Sequence, residues 1–402
     1  MARPQPTRQG WTVLAGAVTA VVVGRTFGVI ELYVIGAALG IAAVIAVVAV
    51  ALRRPRVTVH RWIRPSVLTA GDVGRVEVVA TAERRSPSFE LVEPVGPDRT
   101  ARMFVAPLRE AEQVSAGYRI PTERRGVLTV GPLTAVRHDV VGLARTVTEV
   151  AGPEQVLVSP RAYLLEMPEL GQGVLGRHLL ALARRLGPGD FHSLRDYVDG
   201  DEPRTIHWRA SARSEELKVR QHSVEGLRRC VVLLDQHVGS TEAEVEGFER
   251  AVTAAASVVH SADRAGLTTR FVTTDGADLR GPDVAATTLH LLAHVARSTR
   301  PTVPVDRDPG EGLGLVVVIT PRGSSAPWAA LERVGDPTLT SLGVFTMEAP
   351  SRHVGLLTVD ARSEPDFLTG WELLAGVGRL DARARDPLRR DVTVPETVGA
   401  HP

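Results

Sequence analysis

The sequence has 402 residues, of which 44% are hydrophobic and 23% charged, and its formal net charge at pH 7 is +1. This length leaves room for more than one domain, and the near-neutral charge argues against a nucleic-acid-binding protein with a global basic field. The single cysteine, Cys230, excludes an internal disulfide bond and suits a reducing compartment.

Two apolar segments lie near the N-terminus. Residues 32–52 form a run of 21 residues without a charge, which is long enough to cross a bilayer core as a helix. Residues 11–24 are also uncharged, with Trp11 at one interface and Arg25 reaching toward the other. No small-residue cleavage site follows Gly24, and a stronger span comes at once, which argues against a cleaved signal peptide. Residues 1–56 are therefore predicted to form a transmembrane hairpin.

Arginine is concentrated at both ends of this predicted hairpin. Arg3 and Arg8 precede the first span, and arginines at positions 53, 54 and 56 follow the second. In the short connection, Arg25 and Glu31 cancel in charge. The positive-inside rule therefore predicts a multi-pass protein of the cell membrane whose N-terminus and soluble body are both cytoplasmic.

Residues 57–160 show the period-two alternation of β-strands. Val76, Val78 and Ala80 share one face of a predicted strand, and Val114 and Ala116 share one face of another. Turn signals that contain glycine or proline recur between such runs. Short alternating strands with frequent turns predict an all-β sandwich.

From Cys230 onward, predicted strands and helices alternate. An apolar strand at 230–234 is followed by a capping box, formed by Thr241 and Glu244, that opens an amphipathic helix. Further strands are predicted near 268–274, 315–320, 342–347 and 354–359, and helices near 284–297 and 328–334. This alternation predicts an open, mostly parallel α/β sheet over residues 230–380, covered on both faces, and a loose polar tail over 381–402.

Between these two domains, residues 161–229 hold a predicted helix at 175–186 and a charged segment rich in aromatic residues. The most distinctive residues of that segment are Arg195, Tyr197, Gly200, Asp201, Arg204, Ile206, Trp208, Ser211, Ala212 and Arg213. Their spacing reads Arg-x-Tyr-x-x-Gly-Asp-x-x-Arg-x-Ile-x-Trp-x-x-Ser-Ala-Arg. This pattern resembles the signature of a bacterial family of membrane proteins, domain of unknown function 58.

The predicted order of domains is also similar to that family. Residues 139–143, Asp-Val-Val-Gly-Leu, depart from the family's usual Asp-Pro-Phe-Gly-Leu. The resemblance implies a fold like von Willebrand factor A for the C-terminal domain, and it implies no established activity. It also implies a partner, because members of the family are often encoded beside a MoxR-type AAA+ ATPase.

Two interpretations of the signature segment stay open. Its arginines and acids can form a rigid network beside aromatic faces, or its tyrosine, tryptophan and arginine side chains can anchor a partner. We expect a mixture, in which Asp201, Arg204 and Trp208 are structural while outward-facing side chains bind a partner. The residues expected to face outward are His192, Asp199 and Arg209. The candidate site residues are Asp190, Arg195, Tyr197, Gly200, Asp201, Arg204, His207, Trp208 and Arg213.

The resemblance to von Willebrand factor A also implies a candidate metal site, because domains of that type often bind a divalent cation through Asp-x-Ser-x-Ser after the first strand. Here residues 235–239 read Asp-Gln-His-Val-Gly, so Asp235 alone matches. Magnesium prefers oxygen ligands, which the side chains of histidine and glycine do not supply. We therefore predict a degenerate position at Asp235, with no bound metal and no cofactor.

These observations predict a membrane-tethered, non-enzymatic interaction protein that docks a cytoplasmic partner. An AAA+ ATPase is the partner that the resemblance implies, and no small-molecule substrate or nucleic acid is indicated. The alternative is a hydrolase that uses the Asp- and His-rich segment 190–222. A role on the outer side of the envelope is a third hypothesis, which the arginine flanks oppose.

Overall fold

A computed structural model describes residues 3–52, 55–65, 67–186, 191–200, 203, 206–222, 226–298, 311–322, 336–348 and 357–376. The chain divides into two compact units, Met1–Ser159 and Pro160–Pro402. Each unit has a hydrophobic core of its own.

Two antiparallel helices lie near the start of the first unit. Helices α1 (Arg8–Phe27) and α2 (Ile30–Leu52) are both long and apolar enough to cross a membrane. Small residues dominate the buried positions between them, including Ala17, Gly24 and Gly36. Small side chains let the two backbones approach closely, as in packed transmembrane helices. The predicted apolar helices are confirmed, and the connection between them is only two residues long.

Among the described residues of the first unit, the helices are followed by two β-sheets. The larger sheet has the order β1-β10-β9-β5-β8-β11-β3, with β6 paired to β5, and the smaller has the order β2-β4-β7. The strands of the larger sheet are β1 (Arg3–Pro6), β3 (Leu68–Thr69), β5 (Phe89–Val95), β6 (Arg99–Val105), β8 (Gly126–Val130), β9 (Leu133–His138), β10 (Ala144–Ala151) and β11 (Glu154–Ser159). Those of the smaller are β2 (Val57–Arg64), β4 (Gly74–Ala82) and β7 (Gln113–Ile120).

The two sheets share one hydrophobic core. Val76, Val78 and Ala80 of β4 point into it from the smaller sheet, and Phe89 and Leu91 of β5 point into it from the larger. The side chains of β4 therefore alternate as the sequence predicts, with one face buried and the other toward solvent.

Strand β1 was not anticipated by the sequence, which assigns residues 1–56 to the membrane hairpin alone. Arg3–Pro6 pairs antiparallel with β10, in a register that places Pro6 opposite Ala144. Pro4 and Pro6 have no backbone N–H, so this strand is suited to a sheet edge and to no central position. Residues 3–6 are thereby part of the sandwich.

The second unit contains an α/β sheet. In the part of the chain that the structure describes, its six strands have the order β16-β15-β14-β17-β18-β19. All neighbouring pairs are parallel except β15 with β16, an antiparallel edge that the sequence did not indicate. The strands are β14 (Arg229–Leu234), β15 (Thr268–Thr273), β16 (Asp278–Arg280), β17 (Gly314–Arg322), β18 (Leu339–Glu348) and β19 (Leu357–Asp360).

Both faces of this sheet are buried. Cys230, Val232 and Leu234 belong to the cluster that includes the helices, whereas Val231 and Leu233 belong to a second cluster on the opposite face. This explains why β14 is a continuous apolar run. The described helices of the unit are α3 (Gly173–Leu186), α4 (Trp208–Ser211), α5 (Glu242–Arg264), α6 (Val284–His294) and α7 (Glu364–Ala375). The predicted helix at 328–334 and the tail at 381–402 lie outside the described residues.

The arginine at the start of β14, Arg229, is buried. The side chain of Arg229 is 2% exposed, and its Nη2 donates to Asp336 Oδ2 at 2.7 Å. The same nitrogen donates to Thr338 Oγ1, and Nε donates to the carbonyl of Gly312. Burial raises the pKa of Asp336, but hydrogen bonds from Thr338 and Arg229 outweigh it and lower the pKa to about 2. The ion pair therefore joins the start of β14 to the start of β18.

Replacing this aspartate should destabilise the second unit in a pH-dependent way. Near neutral pH, Asp336→Asn should lower the free energy of unfolding by roughly 3 kcal/mol, because it leaves a buried guanidinium without its counter-charge. A carboxylate with a depressed pKa contributes stability above its ordinary value, and that contribution is lost as the pH falls through about 2. The gap in melting temperature between the natural chain and the variant, measured in detergent, should be widest above about pH 4 and narrow below it.

The exposed Asp98 provides the matched control, since Asp98→Asn should leave the melting temperature unchanged across the same range. If the difference in melting temperature between the natural chain and Asp336→Asn stays constant from neutral to acid pH, the Arg229–Asp336 ion pair does not stabilise the unit in the way described.

Candidate functional site

The signature segment folds around a small antiparallel sheet. Strand β12 (Phe191–Asp196) pairs with β13 (Lys218–His222), with Arg195 opposite Val219 and Asp196 opposite Lys218. Ile206 forms a bridge to Val219 on the other edge of β13. The segment that contains Ile206 therefore lies beside β13, which places residues 206–208 next to the two-stranded sheet.

Helix α4, a single turn, is tied to this sheet by the residue that precedes it, His207, and by its last residue, Ser211. His207 Nδ1 accepts the backbone N–H of Ala210 at 3.0 Å, and the His207 N–H donates to the carbonyl of Lys218 at 2.7 Å. Ser211 Oγ accepts the N–H of Lys218 at 2.8 Å. His207, a variable position of the signature, and the signature residue Ser211 thus hold the backbone on either side of Trp208.

Trp208 itself points away from the protein. Its side chain is 65% exposed, and the neighbouring Arg209 and Arg213 are exposed as well. This exposure does not support the expectation that Trp208 is a packed, structural residue. The sequence could not indicate this, since a tryptophan among charges fits a clamp and an exposed anchor equally well.

Other apolar side chains are exposed in the same segment. Leu194, Val198 and Leu217 are among the exposed large hydrophobic residues of the described chain. The Tyr197 N–H donates to the carbonyl of Leu217 at 2.8 Å, so residues 197–198 lie next to residue 217, and residue 217 precedes the Lys218 that holds α4. We name the set Val198, Trp208, Arg209, Arg213 and Leu217 the signature surface.

The structure describes some of the remaining predicted site residues and not others. Asp190, Asp201 and Arg204 lie outside the described residues, and so does the predicted Asp201–Arg204 pair. Asp199 is exposed, as expected. Lys218, absent from the predicted set, pairs with Asp196 and lowers the pKa of that carboxyl through a hydrogen bond.

The second candidate position is the carboxyl edge of the α/β sheet, where Asp235 follows β14. Asp235 is buried, and Oδ1 accepts the backbone N–H of His237 at 2.9 Å. Its Oδ2 accepts the hydroxyl of Thr320, at the end of β17, at 2.8 Å. Each carboxylate oxygen thus already has a protein donor.

The carboxylate oxygens of the neighbouring Glu244 also have protein partners. Glu244 Oε2 accepts the backbone N–H of Thr241 at 3.0 Å and its hydroxyl at 2.7 Å, which confirms the predicted capping box and lowers the pKa of Glu244. Glu244 Oε1 forms an ion pair with Arg322. A Cβ at Gly239 would lie 2.3 Å from Glu244 Oε2, so the glycine makes room for this carboxylate. A serine in place of Gly239 would displace it.

Within the described residues, no group of three or more His, Cys, Asp or Glu side chains is arranged to hold a metal ion. The carboxylate oxygens of Asp235 and Glu244 at the sheet edge instead accept hydrogen bonds from a guanidinium, hydroxyl groups and backbone N–H groups. Chemically, this arrangement stiffens the edge and offers few free oxygen ligands to a cation.

Comparison with known proteins gives a family match over the signature and the first half of the sheet. The sequence model of the family described as a protein of unknown function, DUF58, matches residues 193–310. This match supports the DUF58 family. The matched DUF58 region begins within β12 and contains all of the signature surface. No curated protein matches the chain.

Solved structures give weaker likenesses. The PKD domain of an M14-like peptidase from a Thermoplasmatales archaeon is 15% identical, with a TM-score of 0.18, covering 26% of this chain and 94% of its own. The sporulation control protein Spo0M from Bacillus subtilis is 8% identical, with a TM-score of 0.17, covering 36% of this chain and 60% of its own. Scores this low do not establish a shared fold.

The geometry at Asp235 predicts weak binding of divalent cations. Calorimetric titration of the full chain in detergent with magnesium or manganese should show no saturable binding below about millimolar, because a cation must compete with Thr320 and the N–H of His237 for the same oxygens. A micromolar isotherm that disappears in Asp235→Ala but persists in the control Asp98→Ala would refute the prediction.

Proposed function

We propose that this chain is a membrane-anchored, non-enzymatic docking protein whose signature surface binds a cytoplasmic AAA+ ATPase of the MoxR type. The observation that carries the proposal is the exposed Trp208, which is held on a backbone fixed by His207 and Ser211. Large aromatic side chains are costly to leave in water, so a tied and exposed tryptophan is suited to bind a partner.

The neighbours of Trp208 support a protein partner. Arg209 and Arg213 flank it, and Val198 and Leu217 extend the apolar area. Tryptophan and arginine are the residues most enriched among binding hot spots, where an apolar centre is surrounded by polar groups. Because α4 is already fixed, little side-chain or loop ordering is needed when a partner binds.

The second unit fits a domain like von Willebrand factor A. Its strand order, with one antiparallel edge strand beside a parallel sheet, and the position of Asp235 at the end of the first strand favour this fold. We infer a rigid platform of this type, in which Arg322 and the hydrogen bonds at Asp235 occupy the sheet edge that other such domains use for a cation.

The membrane part of the proposal is supported by the N-terminal strand. Because β1 belongs to the same sheet as β10, residues 3–6 and the sandwich lie on the same side of any bilayer that the two helices cross. The arginines at 3, 8, 53, 54 and 56 favour the cytoplasm as that side. The body is thus proposed to be cytoplasmic, where an ATPase and its nucleotide are found.

The proposed docking is tested by site-specific photo-crosslinking in cells. A photoreactive phenylalanine analogue at Trp208 should capture an AAA+ ATPase, identified by mass spectrometry, and capture should change when ATP is depleted. Arg209→Ala should reduce capture severalfold without changing the melting temperature, because exposed charges contribute only about 0–1 kcal/mol to stability.

Phe104 is the control position, because it is a similarly exposed aromatic residue in the sandwich. The analogue at 104 should not capture the ATPase. Equal capture at 104 and 208, or capture of no ATPase at 208, would overturn the docking proposal.

The proposed topology is tested by proteolysis. In intact spheroplasts, added protease should spare the body and should digest it only after permeabilisation, because the bilayer separates the two. A periplasmic marker that is digested before permeabilisation is the control for protease activity. Digestion of the body in intact spheroplasts would reverse the orientation.

A further inference from the structure

The turn between β9 and β10, residues 139–143, lies at the foot of the helical hairpin. Thr7, which immediately precedes α1, donates its backbone N–H to the carbonyl of Leu143 at 2.9 Å and its hydroxyl to the carbonyl of Gly142 at 2.5 Å. A Cβ at Gly10 would lie 2.0 Å from the Leu143 carbonyl oxygen, so the helix backbone touches the turn. The turn is therefore level with the first turn of α1.

The same turn reaches into the apolar part of the hairpin. Leu143 and Ala144 form a buried cluster with Ala46 and Val50 of α2, against which Val13 of α1 packs. Val13 is five residues into α1, which is about 7 Å along a helix axis. The uncharged run at 32–52 is about 31 Å long as a helix, close to the thickness of a bilayer core of about 30 Å. Leu143 therefore lies level with the end of that core.

Two valines at the tip of the turn have no protein cover. Val140 is 102% exposed and Val141 is 71% exposed. The backbone that presents them is rigid, because Asp139 accepts the N–H groups of Val141 and Ala144 on its two carboxylate oxygens, at 2.9 and 2.6 Å. A mobile surface loop has no need of such a cap.

Basic side chains lie at the base of the turn. In the strand register, Arg145 of β10 lies opposite His138 of β9 on one side and opposite Gln5 of β1 on the other. Arg8, the first residue of α1, is exposed, as are His138 and Arg145. An apolar tip with cationic residues behind it matches the two layers of a membrane interface, acyl chains and then anionic headgroups.

We infer that the β9–β10 turn is an interfacial membrane anchor. Val140 and Val141 insert among the lipid acyl chains beside α1, and Arg8 and Arg145 contact the lipid headgroups. The occupant is the bilayer that the hairpin itself crosses, because the turn is continuous with the hairpin through the Thr7 hydrogen bonds and the Leu143 cluster. The sandwich is thereby held against the membrane at a second point. This inference rests on the proposed membrane anchoring.

The test is a depth measurement on the full chain, reconstituted in vesicles of phosphatidylethanolamine and phosphatidylglycerol. An NBD fluorophore is attached to a single introduced cysteine, in Val141→Cys or, separately, Val140→Cys. The natural Cys230 does not interfere, because it is buried and burial raises its pKa to about 12, which leaves a thiol that does not react. Relative to an aqueous position, NBD at 141 should show a blue-shifted emission, quenching by nitroxide-labelled lipids, and a severalfold loss of quenching by iodide.

Two matched positions make the result decisive. Thr100 is exposed at the far end of the β5–β6 pair, about seven residues or 23 Å along the strands from the turn, so NBD in Thr100→Cys should be quenched by iodide alone. Ile41, exposed at the middle of α2, reports the bilayer core, and Ile41→Cys should be quenched by lipids labelled deep in their chains.

The outcomes separate the two proposals. Iodide quenching at 141 as strong as at 100, with Ile41→Cys in the core, overturns this inference and leaves the anchoring intact. Protection from iodide at 141 without quenching by lipid also overturns it, because the turn is then covered by protein. An aqueous signal at Ile41→Cys overturns the anchoring and this inference with it.

Discussion

The hydrogen bonds of Thr7 are the constraint on which the first unit depends. Its hydroxyl accepts the N–H of Gly10 at the start of α1 and donates to Gly142, while its N–H donates to Leu143. The residues before it, Arg3–Pro6, are a strand of the sandwich. One residue therefore joins a β-strand to a membrane-length helix, caps that helix and binds the β9–β10 turn. With no flexible linker between strand and helix, the direction of α1 follows from the sheet.

This connection also explains why α2 packs where it does. Val50 and Ala46 contact Leu143 and Ala144, so the last turns of α2 meet the sandwich at the place where α1 leaves it. The Thr146 hydroxyl donates to the carbonyl of Val50, one of the last carbonyls of the helix, at 3.4 Å. A helix end needs such partners, because its last carbonyls have no donor within the helix. The apolar helices and the sandwich of the first unit are thus directly connected by hydrogen bonds and packing.

In the second unit, internal pairing decides which groups are left for function. Asp235, Glu244 and Arg322 satisfy one another or nearby donors at the sheet edge, and Arg229 is neutralised inside the core by Asp336. Groups that are paired in this way hold the fold and have little capacity for a ligand. The signature surface differs, since its backbone is satisfied while Trp208 and Arg209 face solvent. That contrast is the basis of the proposed docking function.

Much of this architecture was predictable from local patterns. The two apolar runs predict the helices of the hairpin, the alternation at 76–82 predicts β4, and Thr241 with Glu244 predicts the start of α5. Each of these signals is a short-range one, in which burial or hydrogen bonding follows from residues a few positions apart. The signature was equally visible, and the DUF58 match at 193–310 supports it.

Other features depend on residues that are distant in the chain. The strand Arg3–Pro6 carries two prolines and becomes a strand only because β10 offers an edge about 140 residues later. The position of Trp208 depends on hydrogen bonds between α4 and the backbone of Lys218. One carboxylate oxygen of Asp235 accepts a hydrogen bond from Thr320 near the end of β17. A sequence pattern reports which faces are apolar and where a helix begins. Which polar groups then find partners is decided by tertiary structure, because those partners come from strands that meet only after folding.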